Sequence, residues 1–282
     1  MLKFLFEVEP LTNDLLYDFQ FELLQSIKSE NYMNNFLNKR NHSYEFITIG
    51  LLYDNRSNYK YKEYIPIGSV EFVRNFMKYF YDINLSPINV PEELFPFTGR
   101  EIHNFSLNEL KEFLKVDNFE REWFVKSNTI IKKSPSFLII EEDYHLFFEK
   151  NKDESESFQV SRYLDESTTG AQLVSEWRVF VRNSRIVGCK NYSSDDAIPA
   201  IPDIQIIKNM INSYHSKSPV YTLDVGVIED VITKEISTIV VEVHDFYSCG
   251  LYGFSSPTLP YMYSQWFYSY LETRNFINDY ND

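Results

Sequence analysis

Residues 173–192 read LVSEWRVFVRNSRIVGCKNY and residues 236–245 read ISTIVVEVHD. Both are apolar enough for the middle of a sheet, yet both carry ionisable side chains. In the first, the two-residue alternation of a strand sets Glu176, Arg178, Phe180 and Arg182 on one face and Trp177, Val179 and Val181 on the other. The Asn183-Ser184 pair that follows predicts a tight hairpin turn into RIVGCKNY. In the second, Glu242 and His244 share a face while Ile239, Val241 and Val243 look the opposite way. VYTLDVGVI at 220–228 adds Asp224 on an antiparallel neighbour, joined through the acidic loop at 229–235. For any one strand the ordinary explanation suffices: Glu242 pairs with Arg178, and His244 is a satisfied core histidine. Three strands with the same habit favour a site, because a carboxylate and an imidazole two residues apart, with a second carboxylate alongside, suit an oxygen-loving divalent cation such as Mg²⁺.

Outward from this centre, EWFVK (122–126), SFLII (136–140) and SFQVSRYL (157–164) read as further strands, and helices are expected at about 142–150, 203–216 and 259–276. The result is an α+β arrangement. The N-terminal part alternates differently. LKFLFEV (2–8) is a strand, the helical spacing of Leu15, Leu16, Phe19, Leu23, Leu24 and Ile27 follows, and YEFITIGLLYD (44–54) is a second strand. YIPIGSVEFVRNFMKYF (64–80) then gives a short strand and a helix capped by Ser69. Pro87, Pro91 and Pro96 punctuate a linker, which puts a small α/β domain at 1–100 and an α+β domain at 101–282.

Composition narrows the function. Among 282 residues, 27 Lys+Arg against 41 Asp+Glu leave a formal charge of −14, which repels a nucleic-acid backbone or an anionic membrane surface. A hydrophobic fraction of 44% excludes intrinsic disorder. Cys189 and Cys249 are too few for a disulfide framework or a four-cysteine zinc site, and MLKFLFEVEP lacks the apolar run of a signal peptide, so a cytoplasmic protein is expected. The chain contains neither GxxxxGK[ST] nor GxGxxG, which argues against a Walker NTPase and a Rossmann dehydrogenase, and without GxSxG a serine hydrolase has little support. Cys249, in DFYSCGLYG, reads as a small residue packed at a turn. Lys126 ends one strand, and Lys132 and Lys133 precede the next, where cations could meet a phosphate.

The order of these segments, from the strand ending in Lys126 through SEWRVFV, TLDVGV and VVEVHDFYSCGLYG, resembles the ATP-grasp superfamily. Within it, the chain is similar to the clade of phages and bacteria named for two arginines and a lysine. The resemblance, which also takes in YIPIGSVEFVRNF and Asn89-Val90-Pro91, runs from about residue 64 to 254. It implies two antiparallel sheets with flanking helices clamping ATP, preceded by a small α/β domain. It further implies Lys126 on the α- and β-phosphates with Lys132 or Lys133 nearby, Gln159, Val160 and Ser161 along the adenine, and Arg178 on the γ-phosphate. Glu176 lies beside that set, Lys190 competes with Lys126 as the signature lysine, and Arg74, Arg100 or Arg182 is the second arginine. Asp224 and Glu242 would hold Mg²⁺, with His244 standing where the clade usually has Asn, a nitrogen donor that opens the site to Mn²⁺. The implied activity is ATP-dependent joining of a carboxylate to an amine through an acyl-phosphate, the substrates being a small molecule, peptide or protein. A small-molecule kinase and a non-catalytic binding factor on the same scaffold are the alternatives.

Overall fold

The computed structural model describes residues 1–54, 59–117, 122–128, 137–139, 144–153, 155–164, 170–193 and 198–278. The chain opens with β1 (Lys3–Glu7), α1 (Asp18–Phe36), β2 (Ser43–Ile47), α2 (Ile49–Asp54), β3 (Ile65–Ile67) and α3 (Val70–Tyr81). β1 lies between β2 and β3, all parallel. The expected strand at 44–54 is therefore half strand and half helix. Thr48 turns the chain, its carbonyl and hydroxyl accepting from the amides of Leu52 and Leu51. Ser69 caps α3 as expected, its hydroxyl accepting from Phe72 N at 3.0 Å.

A 3-10 turn (Glu92–Phe97) leads to β4 (Ile102–Ser106), α4 (Leu107–Asp117), β5 (Trp123–Ser127), β6 (Phe137–Ile139), α5 (Tyr144–Lys150) and β7 (Ser157–Arg162). These strands form an antiparallel sheet in the order β4-β7-β5-β6. β8 (Ala171–Arg182), β9 (Arg185–Asn191), α6 (Ile204–Ser213), β10 (Val220–Asp230) and β11 (Ile236–Asp245) follow, and α7 (Leu259–Asn278) ends the fold. They build a second antiparallel sheet, ordered β11-β10-β8-β9. Asn183 and Ser184 both take positive φ, 50° and 57°, the geometry a two-residue hairpin needs to match strand twist. β4 and α4 are absent from the sequence-based expectation. The signal for α4 was present, since Ser106 and Glu109 form a reciprocal cap and Leu107, Leu110 and Leu114 face inward.

Three apolar clusters organise these layers. Val179, Val181, Leu223 and Val225 pack one face of the β11-β10-β8-β9 sheet against Ile207, Met210 and Ile211 of α6, leaving the opposite face for polar groups. α4 covers the β4-β7-β5-β6 sheet through Leu107, Leu110 and Leu114. The third cluster joins the parallel sheet to the chain's end: Phe4, Phe6, Leu23 and Phe76 share a core with Met262, Tyr263 and Trp266 of α7. It also takes in Phe180 of β8 and Phe254, whose rings stack at 4.1 Å and 13°. That stack pins the 246–254 loop over the sheet, and Gly188 on β9 makes it possible, because a Cβ there would overlap the Phe254 ring. Gly188→Ala is expected to destabilise the protein by about 1–3 kcal/mol through overpacking, read as a lower denaturant midpoint at unchanged m-value.

Candidate functional site

Strand register lines up four charged residues. Glu242 on β11 faces Asp224 on β10, Asp224 faces Arg178 on β8, and Arg178 faces Lys190 on β9. At about 4.8 Å per strand, the row −, −, +, + spans roughly 14 Å across the sheet. At its centre Arg178 grips Asp224 with two parallel bonds, Nε to Oδ1 at 2.8 Å and Nη2 to Oδ2 at 2.7 Å. Both residues are buried, so the pair is held by geometry that leaves neither charge alone. Nη1 donates to the Gly250 carbonyl at 3.0 Å, and the guanidinium lies 5.8 Å and 5.1 Å from the ring centres of Tyr192 and Tyr252, which stack on each other at 4.7 Å. Burial alone would raise the Asp224 carboxyl, but hydrogen bonds and charge from Arg178 and His244 override it and hold it down at about 2. Glu176, one alternate residue along β8, is pushed up by burial and by the Asp224 charge.

Strict alternation does not describe β11. The register slips between Asp224 and Val225, so that Glu242 pairs with Asp224 but Val240 with Val225, leaving Val241 as an extra residue. The bulge puts Val240 and Val243 in the apolar core and brings Ile239 and Val241 to the face of Gly226, on the same side of the sheet as Asp224. This corrects the expectation that Ile239 and Val241 oppose Glu242. Arg100 holds the bulge: Nη1 donates to the Val240 carbonyl at 3.1 Å and to Thr98 O at 3.2 Å, and Nη2 to the Val241 carbonyl at 3.2 Å. Burial lowers this guanidinium to about 10, offset in part by the charges of Glu242 and Glu176. Arg182 lies elsewhere, donating to Gln265 Oε1 at 2.5 Å.

The second sheet supplies a cation. Lys126 on β5 donates to Glu242 Oε2 at 2.7 Å, closing the gap between the sheets. The His244 imidazole stands 3.4 Å from both Asp224 Oδ2 and Glu242 Oε2. Lys190 has neither an ion pair nor a hydrogen bond among the described residues. The proline-rich stretch is no slack linker. Asn89, with φ 54°, bridges Val243 of β11 and donates to Ser127 O at the end of β5 and to Asn128 Oδ1 just after it. Gln159 pairs its side-chain amide with both backbone groups of Val90, at 3.0 and 2.8 Å. Strand β7 is covered on both edges by β4 and β5, and Val160 sits in the core, so Gln159, Val160 and Ser161 line no open edge. Lys132 and Lys133 lie outside the described residues. Cys249 is buried and its thiol is pushed up to about 11, which suits packing and not nucleophilic attack.

Two further residues belong to this face. Tyr192 approaches Glu176 Oε1 at 3.4 Å and Asp224 Oδ2 at 3.5 Å. Thr222, buried and paired with His244 across the ladder, has a hydroxyl with no hydrogen-bonding partner among the described residues. Alternation along β10 already puts Thr222 beside Asp224; nothing in the sequence marks Tyr192. Among the described residues no group of three or more His, Cys, Asp or Glu is disposed to hold a metal. The oxygens of Asp224 and Glu242 are instead occupied by Arg178 and Lys126, two positive charges where a divalent cation would bring the same two. The donor chemistry, two carboxylates and an orphaned hydroxyl, fits a hard cation once those cations are displaced.

Because the Asp224 pKa is depressed below its ordinary 3.8, the pair contributes stability that is complete above that value and is lost as pH falls through about 2. The contribution is on the order of 2 kcal/mol. Asp224→Asn should remove this acid-dependent loss and destabilise the protein at pH 7 by about 3 kcal/mol, since it leaves Arg178 buried without a counter-charge. Glu242→Gln, at a partly exposed pair, should cost less than about 1 kcal/mol. Thermal unfolding from pH 2 to 7 checks all three.

Comparison with known proteins agrees with the architecture. Residues 97–260 match a family model described as an ATP-grasp domain, family 2 of the clade named for two arginines and a lysine. Among solved structures, D-cycloserine synthetase DcsG superposes with TM-score 0.56 at 10% identity, over 94% of this chain and 98% of that one. The RimK domain protein ATP-grasp from Sphaerobacter thermophilus DSM 20745 gives 0.53 at 10% identity, over 95% and 98%. D-alanine–D-alanine ligase from Bacillus anthracis gives 0.49 at 12% identity, over 100% and 99%. No curated protein matches. The fold is that of ATP-grasp ligases, and with more than half of its length matched by the family model the chain belongs to the second family of the two-arginine-and-lysine clade of ATP-grasp domains.

Proposed function

We propose that the protein is an ATP-dependent carboxylate–amine ligase whose phosphate-handling centre is the row Glu242, Asp224, Arg178 and Lys190, with Lys126 reaching in from the facing sheet. The observation that carries this reading is the self-paired set of opposite charges: the carboxylates of Asp224 and Glu242 are bonded to Arg178 and Lys126, residue types that suit a metal-bound triphosphate. Binding exchanges partners. Lys126 leaves Glu242 for phosphate oxygens, and Arg178 turns its fork from Asp224 to the terminal phosphoryl group, whose oxygens match a guanidinium bidentately. Lys190, without a partner among the described residues, adds a third positive charge at the Arg178 end. The freed carboxylates of Asp224 and Glu242 would hold the metal, with His244 as a nitrogen donor that would tolerate Mn²⁺ as well as Mg²⁺. Bound there, a divalent ion would supply charge neutralisation of the phosphates.

A substrate carboxylate oxygen displaces ADP from the γ-phosphorus, and an amine nitrogen then displaces phosphate from the acyl carbon with loss of its proton. The partners are thus ATP, an acid and an amine. Tyr192 and Tyr252 stack beside Arg178 and shield it from water, which lowers the local dielectric in which the transferring charge is stabilised.

Calorimetric titration with AMP-PNP tests the assignment without knowledge of the acid or amine. Binding is expected with Mg²⁺ or Mn²⁺ and loss of at least tenfold in affinity in Lys126→Ala. Glu242→Gln should weaken metal-dependent binding by at least tenfold and metal-free binding hardly at all. No binding at millimolar analogue with either metal, or equal weakening with and without metal, would overturn it.

A further inference from the structure

A cavity of about 720 Å³ adjoins the charged row, lined by Asp18, Ser69, Glu71, Arg74, Ser248 and Gly250 among others. Its volume is in the range that encloses a small organic ligand. It lies where the carboxyl ends of β1 and β3 give way to the starts of α1 and α3, beside the central strand of a parallel sheet, the position at which open α/β sheets present a crevice. It adjoins the row through Gly250, which lines it and whose carbonyl accepts from Arg178 Nη1 at 3.0 Å.

The charges in this cavity are unequal in their commitments. Lys78, also at its edge, is neutralised by Asp82 at 2.6 Å. The start of α3 is partly spent as well: Ser69 N donates to Glu7 Oε2 at 2.5 Å, and the Ser69 hydroxyl accepts from Phe72 N. Arg74, half-buried one turn into α3, has no ion pair and no hydrogen bond among the described residues. Glu71, three residues back on the same face, accepts from Tyr53 through Oε1, and Asp18 accepts from Phe19 N through Oδ1; each keeps a second carboxylate oxygen. The cavity lining therefore includes one guanidinium without a partner among the described residues and two exposed carboxylates. A dianion would gain Arg74 and meet repulsion from Asp18 and Glu71, in a chain already at −14. A simple amine would meet Arg74. A zwitterion satisfies both signs.

We propose that this cavity is the binding site for an amino-acid substrate, its carboxylate held by Arg74 and its ammonium by Glu71 and Asp18. The inference rests on the ligase reading for its role in a reaction, but the binding itself does not. It is tested by adding the twenty proteinogenic amino acids singly, with succinate and inorganic phosphate as comparison anions, to the full chain loaded with Mg²⁺ and AMP-PNP, and following thermal shift and calorimetry. At least one amino acid should bind, Arg74→Gln should weaken it by tenfold or more, Arg74→Lys should restore part of the loss, and AMP-PNP affinity should stay within twofold in both variants. Circular dichroism of the variants confirms that they fold. Nucleotide binding with no amino-acid binding, amino-acid binding unchanged in Arg74→Gln, or preferential binding of succinate or phosphate would overturn the proposal. Arg74-dependent amino-acid binding by a protein that does not bind AMP-PNP would support the cavity and overturn the ligase reading.

Discussion

The two parallel bonds between Arg178 and Asp224 are the constraint around which the rest of the site is arranged. A guanidinium and a carboxylate buried in the middle of a sheet cost several kcal/mol each to desolvate, and only a bidentate, fully bonded geometry offsets that cost. The protein provides it through register. Adjacent positions on β8 and β10 bring the two together, the Gly250 carbonyl takes a third guanidinium bond, and two stacked tyrosines cover what remains. The 246–254 loop that supplies Gly250 and Tyr252 is in turn anchored by the Phe180–Phe254 stack, so a packing contact on the outside of the site determines whether the central pair keeps its full complement of partners.

The facing sheet is held in place by a different device. An extra residue in β11 lies next to Glu242, which accepts from Lys126, and Arg100 bonds two successive carbonyls of that bulge. The stretch at 87–91 wedges between the sheets, with Asn89 bonded to both and Val90 clasped by the Gln159 amide. Arg100, one of the candidates for the second signature arginine, thus acts on the backbone of the site.

Much of this was legible beforehand, because strand alternation is a strong signal: Arg178, Asp224 and Glu242 stood out as charges inside apolar runs, and the structure brings all three into one row with Lys190. What could not be read was which charge pairs with which. Alternation assigns faces, whereas the exchange of Glu242 from Arg178 to Lys126 depends on the approach of another sheet. Gln159 adds a partner that alternation does not foretell: the resemblance sets it on the strand along the adenine, and its amide bonds both backbone groups of Val90, 69 residues away. Residues 44–54 misled for a local reason, as a threonine that can cap a helix also fits a strand.

The central claim is that the resting ion pairs are placeholders for ATP and its metal. The most direct measurement is a crystal structure with AMP-PNP and Mg²⁺ at high occupancy. The account predicts Lys126 and Arg178 on phosphate oxygens and the carboxylates of Asp224 and Glu242 turned to the metal, both present pairs broken. Nucleotide bound with Arg178 still bidentate on Asp224 and Lys126 still on Glu242 would contradict it.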